Sequence, residues 1–111
     1  MIKKIIDNKK YIIITIKKFD FNSDLNILTK KHENISYPLL LNINNYSLAN
    51  SENYHLVSIV NHVGMLNYGH YYADVAYENN WFRCNDENVD DIKLNKVAMN
   101  NNAYILIYKR G

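Results

Sequence analysis

The stretch from Val57 to Val89 constrains the fold most, because its apolar residues alternate as they do in consecutive antiparallel strands. Tyr54–Asn61 is apolar on both faces, which predicts a strand in the middle of a sheet. Two glycines, Gly64 and Gly69, flank the short loop that follows. Alternation along the next strand predicts one side made of His70, Tyr72, Asp74 and Ala76 and another made of Tyr71, Ala73, Val75 and Tyr77.

The pairing of that strand with the next one decides whether two polar residues meet. The next strand carries Asn85 near its end and follows a turn at Glu78–Asn80. A three-residue loop there would pair Ala73 with Asn85, and His70 would lie roughly 10 Å past Asn85. A bulge, or a turn centred on Tyr77–Glu78, would bring His70 closer to Asn85.

Length and charge limit the function classes. The 111 residues form at most one domain, and the 48% hydrophobic content predicts a folded one. A net charge of +2 leaves no electrostatic footprint for nucleic acid, and the segment before Tyr11 is too short and too charged to cross a membrane. No nucleic-acid or membrane partner is therefore expected. The lysines near the start are predicted to be solvent-exposed strand-edge residues: Lys3, Lys4, Lys9, Lys10, Lys17 and Lys18.

The rest of the chain predicts supporting strands. Tyr11–Ile16 is a β-branched run expected to lie inside the sheet with both faces buried, and Lys17–Phe21 continues it. A strand pair is expected at Ile27–Thr29 and Ile35–Tyr37. The other expected elements are a strand at Leu39–Ile43, a loop or single helical turn at Asn44–Asn53, a helical turn at Leu94–Val97 and a strand at Ala103–Lys109. The predicted fold class is α+β, mostly antiparallel β-sheet, in one domain over residues 1–111.

Several histidines are candidates for chemistry. A histidine oriented by an amide or a carboxylate is the assisting half of a nucleophilic site, and His70 with Asn85 and the adjacent Asp86 fits that pattern. An isolated histidine is more often a hydrogen-bonded structural group, which is the interpretation for His32 and His55.

The single cysteine, Cys84, is predicted to be structural. It excludes an internal disulfide and favours a reducing, intracellular location in cytoplasm or nucleus. Alternation turns Cys84 away from the face of Asn85, towards the core, and nothing around it predicts an activated thiol. A zinc site made of His62, His70 and Cys84 would lack the paired close spacings of structural zinc, so no metal and no cofactor is expected.

Two motifs carry a family resemblance. The segments NHVGMLNYGHYYADV and WFRCNDENV, preceded by YIIITIKKF and YPLLLNI and followed by AYILIYKR, resemble the C-terminal half of the ubiquitin-specific protease catalytic domain. The resemblance covers roughly Lys10 to Arg110. It implies the palm portion of a papain-like cysteine protease fold and the activity of a deubiquitinase, a ubiquitin carboxyl-terminal hydrolase. The family spacing favours the hairpin arrangement that brings His70 close to Asn85.

The resemblance also implies residue roles. His70 stands at the position of the general base, Asn85 at that of the residue orienting the imidazole, and Asp86 is expected to support them. Gly69 and Tyr71 resemble residues along the channel for the ubiquitin C-terminal tail. The substrate-binding set further includes His62, which either fixes the loop or participates near the cleft, while Asp74 departs from the aromatic residue that often stands there.

The nucleophile of the family is missing from these residues. Its cysteine motif, roughly N-x-G-x-x-C-[FY], and its paired CxxC zinc-finger motifs have no match in the sequence. Three interpretations follow: an enzyme half completed by a cysteine-bearing N-terminal half, a non-catalytic ubiquitin-binding module, or a degenerate fragment. His70 and Asn85 favour the first or a recent fragment, because a binding module has no chemical need for them. The expected partners are ubiquitin or a ubiquitinated protein and the cysteine-bearing half, and the chain alone is expected to be inactive.

Overall fold

The computed structural model describes residues 10–16, 19–22, 27–30, 36–45, 50–65, 68–98 and 100–111. Within these ranges the chain forms nine strands and one short helix. In chain order they are β1 (Tyr11–Thr15), β2 (Phe19–Asn22), β3 (Ile27–Lys30), β4 (Leu40–Asn45), β5 (Asn50–Val63), β6 (His70–Tyr77), β7 (Asn80–Asn85), β8 (Asn88–Ile92), α1 (Leu94–Val97) and β9 (Ala103–Arg110).

Strand β5 is the centre of the main sheet. It pairs antiparallel with β4, β6 and β9, and the strand order across the described part of the sheet is β1-β9-β5-β6-β7-β8. The pair β2–β3 forms a separate antiparallel ribbon. This arrangement confirms the predicted α+β, mostly antiparallel architecture and the central place of Tyr54–Asn61. The helical turn at Leu94–Val97 and the final strand are also confirmed.

Strand β1 differs from its prediction. In the described part of the sheet it is the outermost strand, beside β9, and only one of its faces is covered. Ile12 and Ile14 are buried, whereas Tyr11 and Ile13 are exposed. The prediction of a strand buried on both faces is therefore wrong. A β-branched run fits either position, because these side chains suit any pleated surface and report burial poorly.

The predicted pairings between residues 17 and 53 are also wrong in part. Strand β3 pairs with β2, which begins at Phe19, and the structure describes no strand at Ser36 or Tyr37; Ile35 lies outside the described residues. The loop expected at Asn44–Asn53 is instead strand at both ends, because β4 and β5 stay paired as far as Asn45 and Asn50. Backbone hydrogen bonds between antiparallel strands need no apolar side chains, so the polar composition was misleading.

The hydrophobic core lies on one face of the main sheet. Cross-strand pairing aligns Ile14, Leu106 and Ile59 in one row, and all three are buried. Tyr37 and Val97 belong to the same core cluster, where the Tyr37 hydroxyl donates a 2.5 Å hydrogen bond to the Val97 carbonyl. The remaining buried apolar side chains are Ile12, Ile16, Tyr54, Leu56, Ala103 and Tyr108.

Alkaline pH should destabilise this core through Tyr108. Burial raises the pKa of Tyr108 to about 12, above the value near 10 of the unfolded chain. The folded state therefore favours the protonated phenol, so the free energy of unfolding should be constant below about pH 10 and fall as the pH rises towards 12. Urea denaturation between pH 8 and 12 measures the slope.

The variant Tyr108→Phe tests this assignment. It loses the 2.7 Å hydrogen bond from the hydroxyl to the Pro38 carbonyl, so it should be about 1 kcal/mol less stable at neutral pH. Its stability should nevertheless fall less steeply above pH 10. A residual slope is expected from Tyr37, whose pKa is also raised by burial. An unchanged slope in Tyr108→Phe would contradict the role given to its phenol.

Candidate active site

The β6–β7 hairpin is closed by a two-residue turn. Tyr77 pairs with Asn80, and the two residues between them, Glu78 and Asn79, have φ values of 48° and 67°. Two central residues with positive φ match the backbone twist of the flanking strands, as in the tight turns that favour asparagine. Neither predicted alternative is right: the loop has two residues, and it is not centred on Tyr77–Glu78.

This turn sets the distance between His70 and Asn85. The last register pair of the hairpin is Ala73 with Cys84, so one further step would bring Asn85 opposite Tyr72. His70 then stands two residues further along the same face, at a diagonal position that a long side chain can span. The structure places His70 Nε2 2.6 Å from Asn85 Oδ1, which confirms the predicted contact without a bulge.

The contact specifies the tautomer of a neutral His70. An amide oxygen can only accept a hydrogen bond, so Nε2 carries the proton and donates it to Asn85 Oδ1. Nδ1 consequently keeps its lone pair and is the ring nitrogen able to take a proton from another group. The His70 side chain is about half exposed, at 47%, so an incoming group can reach it.

Asp86 lies next to this pair but outside hydrogen-bond distance. Its Oδ2 is 3.9 Å from His70 Nε2, and the side chain is 76% exposed. Asp86 has a φ of 53°, which turns the chain from β7 into β8. Solvent screens most of the interaction between such an exposed carboxylate and a charged neighbour.

The other predicted binding residues surround the loop that ends at Gly69. His62 is fully buried, and a Cβ at position 69 would overlap its Nε2. The imidazole centroid lies 4.8 Å from that of Tyr71, whose side chain is exposed. Gly69 thus rests on the His62 ring, while Tyr71 and the surface of Gly69 remain accessible to a ligand.

Cys84 points away from His70. It pairs with Ala73 on β6 and with Val89 on β8, so its side chain lies on the sheet face opposite Asn85. The expectation that it is a core residue is wrong, because the thiol is half-buried and its neighbour Val89 is exposed. The apolar side chains of β7 on that face, Phe82 and Cys84, are only partly covered by the described residues.

A partly buried ion pair lies on the same sheet face as His70 and Asn85. Asp74 is 0% exposed and accepts two hydrogen bonds from Arg83, from Nε at 2.9 Å to Oδ1 and from Nη2 at 3.2 Å to Oδ2. These bonds raise the pKa of Arg83. Strand alternation predicted Asp74 on the His70 side of the strand, but its partner was not predicted. The sequence signal for this ion pair was Arg83, but only the correct turn length shows that Arg83 lies opposite Asp74.

Metal-binding and membrane-spanning features are absent from the described part of the chain. No three histidine, cysteine, aspartate or glutamate side chains there are grouped so that they could hold a metal ion. No helix among those residues is long and apolar enough to cross a membrane. Of the other histidines, His55 is exposed and His32 lies outside the described residues.

Comparisons with known sequences point to one family. The family described as ubiquitin carboxyl-terminal hydrolase matches residues 8–108. The probable ubiquitin carboxyl-terminal hydrolase 8 of Schizosaccharomyces pombe is 34% identical over 97 residues, which cover 87% of this chain and 21% of that protein. Ubiquitin carboxyl-terminal hydrolase 24 of Arabidopsis thaliana is 32% identical over 113 residues, which cover 96% of this chain and 20% of that protein. The chain spans about a fifth of the length of these relatives.

Solved structures give the same result for the fold. The yeast SAGA DUBm with a mutant Sgf73 matches with a TM-score of 0.81 and 31% identity, over 92% of this chain and 23% of that one. A SAGA Ubp8/Sgf11/Sus1/Sgf73 DUB module bound to ubiquitin aldehyde matches with a TM-score of 0.80 and 27% identity, over 92% and 24%. These matches confirm the predicted palm portion of a papain-like cysteine protease fold.

The contact between Gly69 and His62 predicts a steric coupling. Gly69→Ala should lower the free energy of unfolding by about 1–3 kcal/mol, because the new methyl group overlaps the His62 imidazole. In a His62→Ala background the same change should cost much less, since the ring is gone. Urea denaturation of the four proteins of this double-mutant cycle measures the difference. Equal costs in both backgrounds would show that the two residues do not depend on each other.

Proposed function

Because this chain belongs to the ubiquitin carboxyl-terminal hydrolase family, we propose that it supplies the base half of a cysteine-type deubiquitinase site. The bond to be hydrolysed follows the C-terminal glycine of ubiquitin. The observation that carries the proposal is the 2.6 Å contact between His70 Nε2 and Asn85 Oδ1 on an accessible part of the sheet. A histidine held by an amide in this way is the assisting pair of a Cys-His-Asn triad.

In the proposed mechanism His70 acts through Nδ1. It takes the proton of an incoming cysteine thiol, and the thiolate attacks the carbonyl carbon of the terminal glycine. The imidazolium then returns that proton to the lysine amine as the C–N bond breaks, which leaves a thioester on the cysteine. His70 next takes a proton from water, and the resulting attack releases the ubiquitin carboxylate and the thiol. Asn85 holds the ring in the tautomer that these steps require.

The thiol in this proposal comes from outside these 111 residues. Cys84 lies on the face opposite His70 and is therefore not placed to exchange a proton with it. A cysteine motif of the family is absent from the sequence, and the chain spans about a fifth of its relatives. A reducing, intracellular compartment suits such a thiol, because it keeps the nucleophile unoxidised.

The surroundings of the pair supply the remaining roles. Gly69 and Tyr71 form the accessible surface along which an extended ubiquitin tail would run, since glycine allows close approach of a second backbone. His62 supports Gly69 from beneath and does not itself touch the tail, because its ring is buried. Asp86 places an exposed carboxylate 3.9 Å from His70 Nε2, so its part is a screened attraction to the transient imidazolium and not a hydrogen bond.

A ubiquitin-binding role without catalysis is the second candidate. The loop before His70 exposes Met65 and Tyr68, and β6 exposes Tyr71 next to His70. Such groups are typical of protein-binding surfaces. Ubiquitin titration would detect binding under either function, so binding alone does not distinguish the two candidates. Hydrolysis in a reconstituted site does.

Reconstitution tests the proposed function. The chain alone should not turn over a ubiquitin C-terminal amide reporter, and adding the cysteine-bearing N-terminal part of a family member should restore turnover. In that mixture His70→Ala should reduce the rate by about 10³-fold or more, because the thiol loses its base. Asn85→Asp should retain activity, since a carboxylate oxygen also accepts the Nε2–H bond.

Cys84→Ser is the matched control for the reconstituted hydrolase. The substitution exchanges one atom on the opposite face of the sheet, so turnover should be unchanged. Turnover by the isolated chain, or its loss in Cys84→Ser, would overturn the assignment of roles. Saturable ubiquitin binding with no turnover in any mixture would favour the binding-only function.

A further inference from the structure

The contact between His70 and Asn85 lies beyond the paired part of the hairpin. The register of β6 and β7 ends at Ala73 and Cys84, so the paired backbones do not bring these two side chains together directly. A diagonal contact of this kind depends on the relative rotation and spacing of two strand ends. His70 is paired with Val63 of β5 and Asn85 with Asn88 of β8, so each backbone is held from its outer side. The spacing between the two ends depends on what joins β6 to β7 on the shared face.

The ion pair of Asp74 and Arg83 joins β6 to β7 on this face. Asp74 and Arg83 face each other across β6 and β7 at the register position next to the end of the pairing. Asp74 lies on the same strand face as His70, four residues after it. Arg83 lies on the same strand face as Asn85, two residues before it. Two parallel hydrogen bonds from a planar guanidinium define both the distance and the orientation between the strands.

Tyr72 packs against the ion pair on the strand face that also carries His70. Its ring lies between Asp74 and His70 in the strand alternation, and the Arg83 guanidinium carbon is 4.8 Å from the ring centroid. The Tyr72 hydroxyl accepts a hydrogen bond of 3.2 Å from Asn102 Nδ2. Tyr72 is therefore held both by the cation stacked on its ring and by the loop that precedes β9.

Three asparagines tie this cluster to the rest of the sheet. Buried Asn61 on β5 donates to Asp74 Oδ2 at 3.3 Å, and its own Oδ1 accepts a bond of 2.9 Å from Asn100 Nδ2. Asn100 Oδ1 in turn accepts the backbone N–H of Asn102 at 2.9 Å. The hydrogen bonds thus join three adjacent strands and one loop, so a shift of the β6 or β7 end breaks several of them at once.

We propose that Asp74, Arg83 and Tyr72, here called the positioning cluster, hold His70 against Asn85 and so fix the imidazole tautomer. The inference rests on the proposed function of His70. None of the three touches the reacting atoms in that mechanism, so they are positioning residues and not catalytic ones. A buried carboxylate that loses its partner is strongly destabilising, which explains why the cluster restrains the strands more firmly than a surface ion pair would.

The first test reads the His70 tautomer in the chain itself by long-range ¹⁵N NMR of the imidazole, at a pH above the usual titration range of histidine. The parent chain should show one protonated and one unprotonated ring nitrogen. Arg83→Lys keeps the charge but loses the planar two-bond geometry, so the two ¹⁵N shifts should move towards each other. Asn85→Ala, which removes the acceptor, gives the reference signature of a released ring.

Two variants that each remove one tyrosine hydroxyl and should fold provide a second test and its matched control. Tyr72→Phe removes the hydrogen bond that joins the positioning cluster to Asn102, and Tyr108→Phe removes one in the core, to the Pro38 carbonyl. The first should shift the His70 signals towards the released signature, whereas the second should not. If Tyr72→Phe and a folded Arg83→Lys both keep the parent signature, the proposal is overturned. A parent chain without a fixed tautomer would overturn it as well.

Kinetics in the reconstituted hydrolase separates this proposal from the proposed function. Arg83→Lys should lower kcat by about 10- to 100-fold with little change in KM, because the base is misplaced while the binding surface remains. A His70 signature that responds to the variants, in a chain that never restores hydrolysis, would leave the positioning role intact and refute the enzymatic one. Restored hydrolysis with an unaltered kcat in Arg83→Lys would support the enzymatic function and refute the positioning role.

Discussion

The register of the β6–β7 hairpin is the constraint on which the site depends. Side chains alternate across a strand, so a slip of one residue would turn Asn85 to the opposite face and bring Cys84 towards His70. The two-residue turn at Glu78–Asn79 selects the observed register. Asp74 and Arg83 stabilise the same register, because their hydrogen bonds form only when the two residues face each other.

Local patterning predicted the strands and their faces well, and the pairing less well. Alternation placed His70 and Asp74 on one side of β6 and separated Cys84 from Asn85, as the structure has them. The two-residue turn was not predicted because glutamate rarely adopts a positive φ, as Glu78 does here, so the sequence favoured a longer loop. The contact between His70 and Asn85 was expected from family resemblance, and the diagonal geometry that produces it was not.

Buried polar groups were the hardest feature to foresee. Asp74 and Asn61 lie on the same sheet face as the apolar core, where apolar residues are expected. Each is tolerated because its hydrogen-bonding atoms have partners. Those partners come from other strands and from a loop some forty residues away, so no local window contains the information. The half-buried Cys84 shows the converse limit, since alternation identifies a face but not whether another element covers it.

The central claim is that this chain carries the base and its orienting amide while the nucleophile lies elsewhere. The most direct measurement uses a ubiquitin whose C-terminus bears a thiol-reactive electrophile, mixed with this chain and a cysteine-bearing N-terminal part of a family member. Intact-mass spectrometry then identifies the polypeptide that carries the adduct. The account predicts ubiquitin on the cysteine-bearing part and none on this chain. An adduct at Cys84 would contradict it.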